Sequence, residues 1–465
     1  MHRIVPILTL LLLCFAARAD DPPRLEPKLN AEPAKAFAWT SEQGLRYTWV
    51  LPGKLAGTPH RNLIIICHGT GLDYRWGSAN YKPGVFRPGD IVISVDGPTK
   101  AQNGTRLFMG NEGNAEVFSD FIVEMSKTFH AARVYLYGHS QGSFFVCYFA
   151  GVHPELLDGV VAHASGVWTW TAYKPEVAAV PIAFMHGTAD PVVPYGQSVG
   201  GRDWYLTQGH PTIQLRRMDR YIHWPNGDRA SECLDWCIGM KTDDPAEALA
   251  AAESMLRPKG VDQYAYDAPV FFSGAHDVLR RFEGKGARPF AAERLDKADA
   301  AINARARQLI EKVEAEGETH ATRIRAQVKS PDDLKLDGRP WLGHLIQFRE
   351  DFRGVESAEK LFTDLHYDEL LKKHNDAARP LFEAWYGEGK PAEKFAAAIT
   401  ALPHCFLLDT LPLGFAETME GWFKTADELG ISGEARRGYA AVAQWRAGWE
   451  EGRKEYKAIW KAWKP

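Results

Sequence analysis

The stretch "VYLYGHSQGSFFVCYFAG", Val134 to Gly151, sets one polar residue on a corner between two apolar runs. Val134 to Tyr137 is short, β-branched and aromatic, and reads as a buried strand. Phe144 to Ala150 is longer and apolar, ends at Gly151 and the "HPE" turn, and reads as a helix. Between them Ser140 has Gly138 and Gly142 two residues away on either side. Glycine has no Cβ, so strand and helix can approach to backbone contact there. The predicted turn forces the apex serine outward, with a strained backbone of the kind kept mainly at functional sites. The N–H of Gln141 opens the helix and points where an oxyanion would sit. This is G-x-S-x-G in the strand–turn–helix setting of a nucleophilic serine.

The five-residue pattern alone is not decisive, because "GQSVG", Gly196 to Gly200, matches it too. That copy follows "DPVVPY", a loop with two prolines, and no strand leads directly into it. Ser198 therefore reads as a loop or helix-cap serine.

Further strands are predicted in "LRYTWVLP", "NLIIICHGTG", "DIVISVDGP", "LDGVVAHASG", "VPIAFMHGTAD" and "TIQLRRMDR". A helix over Ala115 to Phe129, begun by Asn114, falls among them. Strands alternating with helices predict an α/β fold, a mostly parallel sheet with helices on both faces. Beyond about Val261 the strand-like runs stop and Ala, Glu, Lys and Arg dominate. Leu295, Ala298, Ile302, Leu309 and Val313 mark one helical face, and Trp341, Leu345, Phe348 and Phe352 another. Val442, Trp445, Trp449, Tyr456, Trp460 and Trp463 recur at helical steps, which reads as core packing rather than a sugar-binding platform. The expected organisation is a signal peptide over 1–19, a proline-rich lead-in over 20–35, a catalytic α/β domain over 36–262 and an all-helical C-terminal domain over 263–465. A chain ending near Val261 should keep activity on small esters, provided the sheet does not need the helices to cover an apolar face.

The chain has 465 residues, 45% hydrophobic and 25% charged, with a formal net charge of −4. That is a globular composition with room for a large core. The small charge excludes an electrostatic nucleic-acid binder and gives no attraction to anionic membranes. No HExxH, P-loop or dinucleotide fingerprint occurs, so neither a metal nor a cofactor is implied. "MHRIVPILTLLLLCFAARAD" carries Arg3, an apolar run from Ile4 to Phe15 and a small-x-small site at Ala17 to Ala19, the pattern of a secretory signal cleaved before Asp20. The expected location is secreted or periplasmic, with no membrane span once the signal is removed. Of the cysteines, Cys67 and Cys147 fall in an apolar strand and helix and read as buried thiols. Cys233 and Cys237 are close enough to pair where their segment is not a regular helix.

A serine needs a base to take its proton, an acid to orient that base and two donors for the oxyanion. In an open parallel sheet these groups gather at the carboxyl ends of strands. Asp190, in "HGTADPVVPY", follows one late strand, and His223, in "RYIHWPN", follows the last. The order Ser140, Asp190, His223 is the one expected of this architecture. A turn role before Pro191 is the competing reading of Asp190. His210, His186 and His139 read as structural: one precedes the last strand, one precedes the acid and one adjoins the serine. "HGTG", His68 to Gly71, suits the second oxyanion donor, the Thr70 N–H beside that of Gln141. In "SGVWTWTAY", Trp168 and Trp170 either line a substrate pocket or pack structurally.

Together "HGTG", "YGHSQG", "HGTADPVVPY" and "IHWPN" resemble the α/β-hydrolase superfamily. Within it they are most similar to the secreted esterases grouped with polyhydroxyalkanoate depolymerases and feruloyl esterases. The resemblance covers about residues 40 to 240. It departs in placing Tyr221 and Ile222, not glycines, before the histidine, and the helical C-terminal part is foreign to it. It implies a serine hydrolase acting on a small or polymeric carboxylic ester through an acyl-enzyme. A serine peptidase and a non-catalytic binding protein remain alternatives.

Overall fold

The computed structural model describes residues 36–50, 62–81, 89–219, 221–259, 268–328 and 341–369, and isolated positions 372, 376, 433 and 454. The signal peptide, the lead-in, the 262/263 boundary, Cys14, Cys405 and the tryptophan series over 442–463 lie outside the described residues.

Eight strands form the main sheet: β1 (Ala36–Thr40), β2 (Arg46–Val50), β3 (Asn62–Cys67), β4 (Ile91–Val95), β5 (Arg133–His139), β6 (Gly159–His163), β7 (Ile182–Gly187) and β8 (Ile213–Met218). Their spatial order is β1-β2-β4-β3-β5-β6-β7-β8. β1 pairs antiparallel with β2, and β2 with β4; β4, β3, β5 and β6 run parallel. Backbone bonds from Ile182 to Thr212 and from Thr188 to Met218 advance in the same sense, so β7 and β8 are parallel too. The sequence reading did not foresee β1, "AFAWT". It joins β2 through a turn in which Gly44 takes φ +74° and Ser41 N–H bonds to Leu45 O.

The helices are α1 (Arg75–Asn80), α2 (Glu112–Phe129), α3 (Gln141–Val152), α4 (Gly196–Thr207), α5 (Gly227–Lys241), α6 (Pro245–Met255), α7 (Phe272–Arg280), α8 (Ala292–Lys297), α9 (Ala300–Gln327), α10 (Trp341–Asp351) and α11 (Glu356–Asp364). Among the described residues from 268 onward every regular element is helical. Asn111, not Asn114, caps α2: its side chain accepts the Asn114 N–H. Leu295 to Val313 is not one helix. The chain breaks at Ala298, and the Asp299 carboxylate restarts it by accepting the Ala301 N–H. Among the described residues no helix is long and apolar enough to cross a membrane.

The chain folds as two compact units, each assembled from several segments. The first holds the described residues within 36–184, 197–213 and 225–237. Its centre is the wholly buried pair β3 and β4 together with an aromatic cluster of Phe108, Phe118, Phe145 and Phe149. Each such ring contributes about 1.5–3 kcal/mol by leaving water. α3 buries residues almost all round, which suits its uniformly apolar sequence. The second unit holds the described residues within 185–196, 214–224 and 238–369. There Phe272 stacks on Phe352, and Phe348 packs against Phe352 and Phe362. Leu345, Phe348 and Phe352 are buried, as their spacing predicts.

Candidate active site

Ser140 ends β5 and starts α3 with φ 53° and ψ −120°, a conformation that a residue with a Cβ rarely adopts. The backbone around it holds the turn: its N–H bonds to His163 O at 2.9 Å, and its carbonyl accepts the Ser143 N–H at 2.9 Å. The flanking glycines are required by contact. A Cβ on Gly138 would stand 2.4 Å from Ser143 Cα, and one on Gly142 would stand 2.4 Å from Cys67 O. The second copy of the motif differs in just this respect. A Cβ on Gly196 or Gly200 would meet nothing within 4 Å. Ser198 lies in the first turn of α4, buried, and its hydroxyl donates to Ser165 O at 2.5 Å.

The "HGTG" loop runs beside the elbow. A Cβ on Gly69 would lie 3.1 Å from Ser140 Cβ, so the missing side chain lets the loop reach the serine. Thr70 is exposed at the loop's tip, and Gly71 takes φ +78°. Gln141 occupies the first helical position of α3, and its side-chain amide contacts Met109 Sδ at 3.8 Å.

Asp190 is buried on the loop after β7, and its two oxygens do different work. Oδ1 accepts the N–H groups of Val192 and Val193 at 2.8 and 2.9 Å, the turn role. Oδ2 accepts from His223 Nδ1 at 2.6 Å and faces His186 Nε2 at 3.2 Å. Burial pushes the carboxyl up, but the bonds from His186 and His223 outweigh it and hold it well below the ordinary carboxylate range. With the carboxylate on Nδ1, the hydrogen of neutral His223 sits there and Nε2 is left to accept a proton. The imidazole is partly exposed, at 18%, while the acid is covered.

The residues before His223 are not glycines because the close approach is made from the other side. A Cβ on Gly187 would stand 2.0 Å from Tyr221 O, and Ala189 N–H bonds to that oxygen at 3.0 Å. The loops that carry Asp190 and His223 are thus joined by backbone. His186, structural by its place in the sequence, reaches Asp190, and its Nε2 also faces Val193 O at 2.9 Å. A histidine four residues before the acid was the available signal.

His210 is buried between Tyr173 Oη and Thr212 O, and burial pushes its pKa down to about 4. His139 stacks on Trp76 with centroids 4.7 Å apart, and its Nδ1 lies 3.0 Å from His163 Nδ1. Trp168 stacks between Phe144 and Trp170, at 5.8 and 5.3 Å. Trp170 keeps 57% of its surface exposed, and its indole N–H is held by Gly110 O at 2.9 Å. Cys233 and Cys237 are buried thiols and are not bridged. They lie one turn apart in a regular helix, α5, so the disulfide considered from their spacing does not form. Cys67 and Cys147 are buried thiols as read, and burial pushes Cys147 up to about 12. Among the described residues no group of three or more His, Cys, Asp or Glu is placed to hold a metal ion.

The structure brings Asp190 and His223 together in the second unit and sets Ser140 and the Gly69 loop together in the first. The strand order, the crossovers and the serine elbow define the α/β-hydrolase fold. The model of a family described as phospholipase/carboxylesterase matches residues 110–224, a stretch that contains Ser140, Asp190 and His223. Among solved structures, the chain is similar to the Bacillus cereus carboxylesterase at 15% identity and a TM-score of 0.34, covering 42% of this chain and 94% of that one. Est1E from Butyrivibrio proteoclasticus is similar at 15% identity and a TM-score of 0.32, over 48% of this chain and 99% of that one. Zea mays acyl-protein thioesterase 2 follows at 17%, a TM-score of 0.31, and 41% and 96% coverage. No curated protein sequence matches the chain.

Proposed function

We propose that the protein is a serine hydrolase of carboxylic esters, with Ser140 as nucleophile, His223 as base and Asp190 as the orienting acid. The observation that carries the reading is the 2.6 Å bond from His223 to a buried, ionised Asp190. It leaves an imidazole nitrogen ready as a base, in a chain where Ser140 stands with a strained backbone on a glycine-defined elbow. His223 Nε2 takes the Ser140 hydroxyl proton as Oγ bonds to the ester carbonyl carbon, and the carbonyl electron pair moves onto oxygen. The Thr70 and Gln141 N–H groups hold that oxyanion. The tetrahedral centre collapses, the C–O bond to the alcohol breaks, and the imidazolium gives its proton to the leaving oxygen. Water repeats the sequence on the acyl-enzyme: Nε2 takes its proton, the hydroxide adds, and Ser140 leaves with the proton returned. Asp190 remains a carboxylate throughout.

Large exposed apolar side chains support an apolar ester group as substrate. Ile222 and Trp224 bracket His223 and are exposed. Trp168 and Trp170 are the residues we assign to binding it. The leader read over 1–19 sends the enzyme out of the cytoplasm, which sequencing of the mature N-terminus checks. A fluorophosphonate probe with a nitrophenyl ester assay tests the chemistry. Ser140→Ala should lose labelling and turnover, while Ser198→Ala keeps both. An unlabelled wild-type protein favours a binding role. Cleavage of amino-acid amides at rates matching the ester favours a peptidase.

A further inference from the structure

We infer that Asp96 is a positioning residue for oxyanion formation, clamping the far end of the loop that carries Thr70. The inference rests on the hydrolase reading above. The loop from His68 to Tyr74 contains Gly69 and Gly71 and one internal backbone bond, Leu72 N–H to Gly69 O at 3.2 Å. Its own composition does not make it rigid. An oxyanion donor has to be held in place before the reaction, to within about 0.5 Å, to stabilise the transition state.

The buried carboxylate that follows β4 supplies that restraint. Asp96 Oδ1 accepts the Tyr74 N–H at 2.8 Å, and His68 Nε2 lies 3.7 Å from it, too far for a hydrogen bond. The other ring nitrogen of His68, Nδ1, lies 2.8 Å from Gly69 O; a carbonyl only accepts, so Nδ1 carries the hydrogen. The ring packs edge-on against Phe108. One carboxylate thus takes hold of the loop's last residue through its backbone N–H, while the loop's first residue is tied by its own ring to Gly69 O. Asp96 is held in turn by Arg46 of β2, whose Nε donates to Oδ2 at 2.7 Å. Burial raises the Asp96 carboxyl, but His68 and Arg46 outweigh it and the group stays ionised. The clamped loop then rests on the elbow, where Gly142 leaves room for the carbonyls of Cys67 and His68. Asp96 touches no reacting atom; it fixes where Thr70 N–H stands relative to Ser140.

The test is the kinetics of Asp96→Ala and Asp96→Asn in the full chain on a chromogenic ester. A trifluoromethyl ketone serves as the oxyanion-forming inhibitor and an uncharged amide analogue as the neutral one. Loss of one oxyanion donor costs about 10²–10³ in rate, so Asp96→Ala should lower kcat about 10²-fold with KM changed less than about threefold. Asp96→Asn keeps an acceptor for Tyr74 and should recover about half of that loss on a logarithmic scale. Affinity for the trifluoromethyl ketone should fall with kcat, and affinity for the amide should not. If Asp96→Ala fails to fold, Asp96→Asn decides. Unchanged kcat in a folded variant overturns the clamp, and so does an equal loss of affinity for both inhibitors, which marks a merely structural role. A wild type that fails to label at Ser140 sinks the hydrolase reading and the clamp with it; normal wild-type labelling with unimpaired variants sinks the clamp alone.

Discussion

Two buried residues with shifted protonation, Asp190 and His210, act in different pH windows. Asp190→Asn puts an amide where Oδ2 accepts the His223 hydrogen. An amide nitrogen there donates to Nδ1, moves the ring hydrogen to Nε2 and removes the base. Turnover should drop about 10⁴-fold with little change in melting temperature. Near-normal rates in that variant would mean another carboxylate serves His223. His210 tests the opposite role. Its folded pKa, about 4, lies below the ordinary histidine value of about 6.5, so folding favours the neutral ring. The sign follows: its stabilisation is complete above about 6.5 and drains as pH falls towards 4, because the unfolded chain takes up the proton first. The loss is on the order of 3 kcal/mol. Urea unfolding at pH 7 and pH 4 should show that fall in the wild type and a smaller one in His210→Gln, whose amide can replace both bonds. Equal falls in the two proteins would show that His210 does not titrate with folding.

At the scale of elements, the two G-x-S-x-G segments are nearly identical as text and unlike as structures. What separates them was readable from context: an apolar strand leads directly into Ser140 and a proline loop into Ser198. The glycine contacts make the difference measurable. Gly138→Ala and Gly142→Ala each force a Cβ to within 2.4 Å of backbone that belongs to the turn or to β3. Each should cost several kcal/mol, on the order of 3 or more, or abolish soluble expression. Gly196→Ala and Gly200→Ala meet nothing and sit in α4, so each should stabilise the fold by about 0.5–1 kcal/mol. Thermal melts of the four variants check both directions, and a tolerated Gly142→Ala would undo the account of the elbow. The long buried strands, the turn at Ser140 and the contact of Asp190 with His223 were legible because each leaves a local mark: an apolar run, a glycine spacing, a polar residue after a strand. β1 was not, because a five-residue edge strand beside a proline-rich lead-in carries no such run. The contact of His186 with Asp190 was missed because it depends on how the loop after β7 closes. Asp96 was missed for the same kind of reason: its hydrogen-bond partners come from positions 46 and 74, which no spacing rule connects.

Across the whole molecule, composition marked a change of character near 261 but not how the later helices are used. β8 shows it within the second unit. Gln214 Nε2 donates to Asp277 Oδ2 at 2.9 Å, Arg217 to Gln347 Oε1 at 2.5 Å, and the buried Arg216 faces Asp351 Oδ1 at 3.3 Å. Arg216 also donates to Ala268 O and lies over the Phe271 ring. The strand that leads to His223 thus places two guanidinium groups among carboxylates, amides and carbonyls supplied by residues 268–351. A chain cut near 261 loses all of those polar partners at once, so the truncated chain should fail to fold cooperatively and show no turnover, the opposite of the outcome expected from the sequence alone. The single-residue form of this prediction is Asp351→Ala. Removing one partner of a buried ion pair leaves a desolvated charge and typically costs about 3–5 kcal/mol. Denaturant unfolding should show that loss in Asp351→Ala. The double variant Arg216→Met, Asp351→Leu should recover most of it, since replacing a buried pair by apolar side chains of similar size is often neutral. A loss below about 1 kcal/mol in Asp351→Ala, or a truncated chain that folds and turns over ester, would mean that β8 closes without the helices, and the C-terminal part would then need another reason to be there.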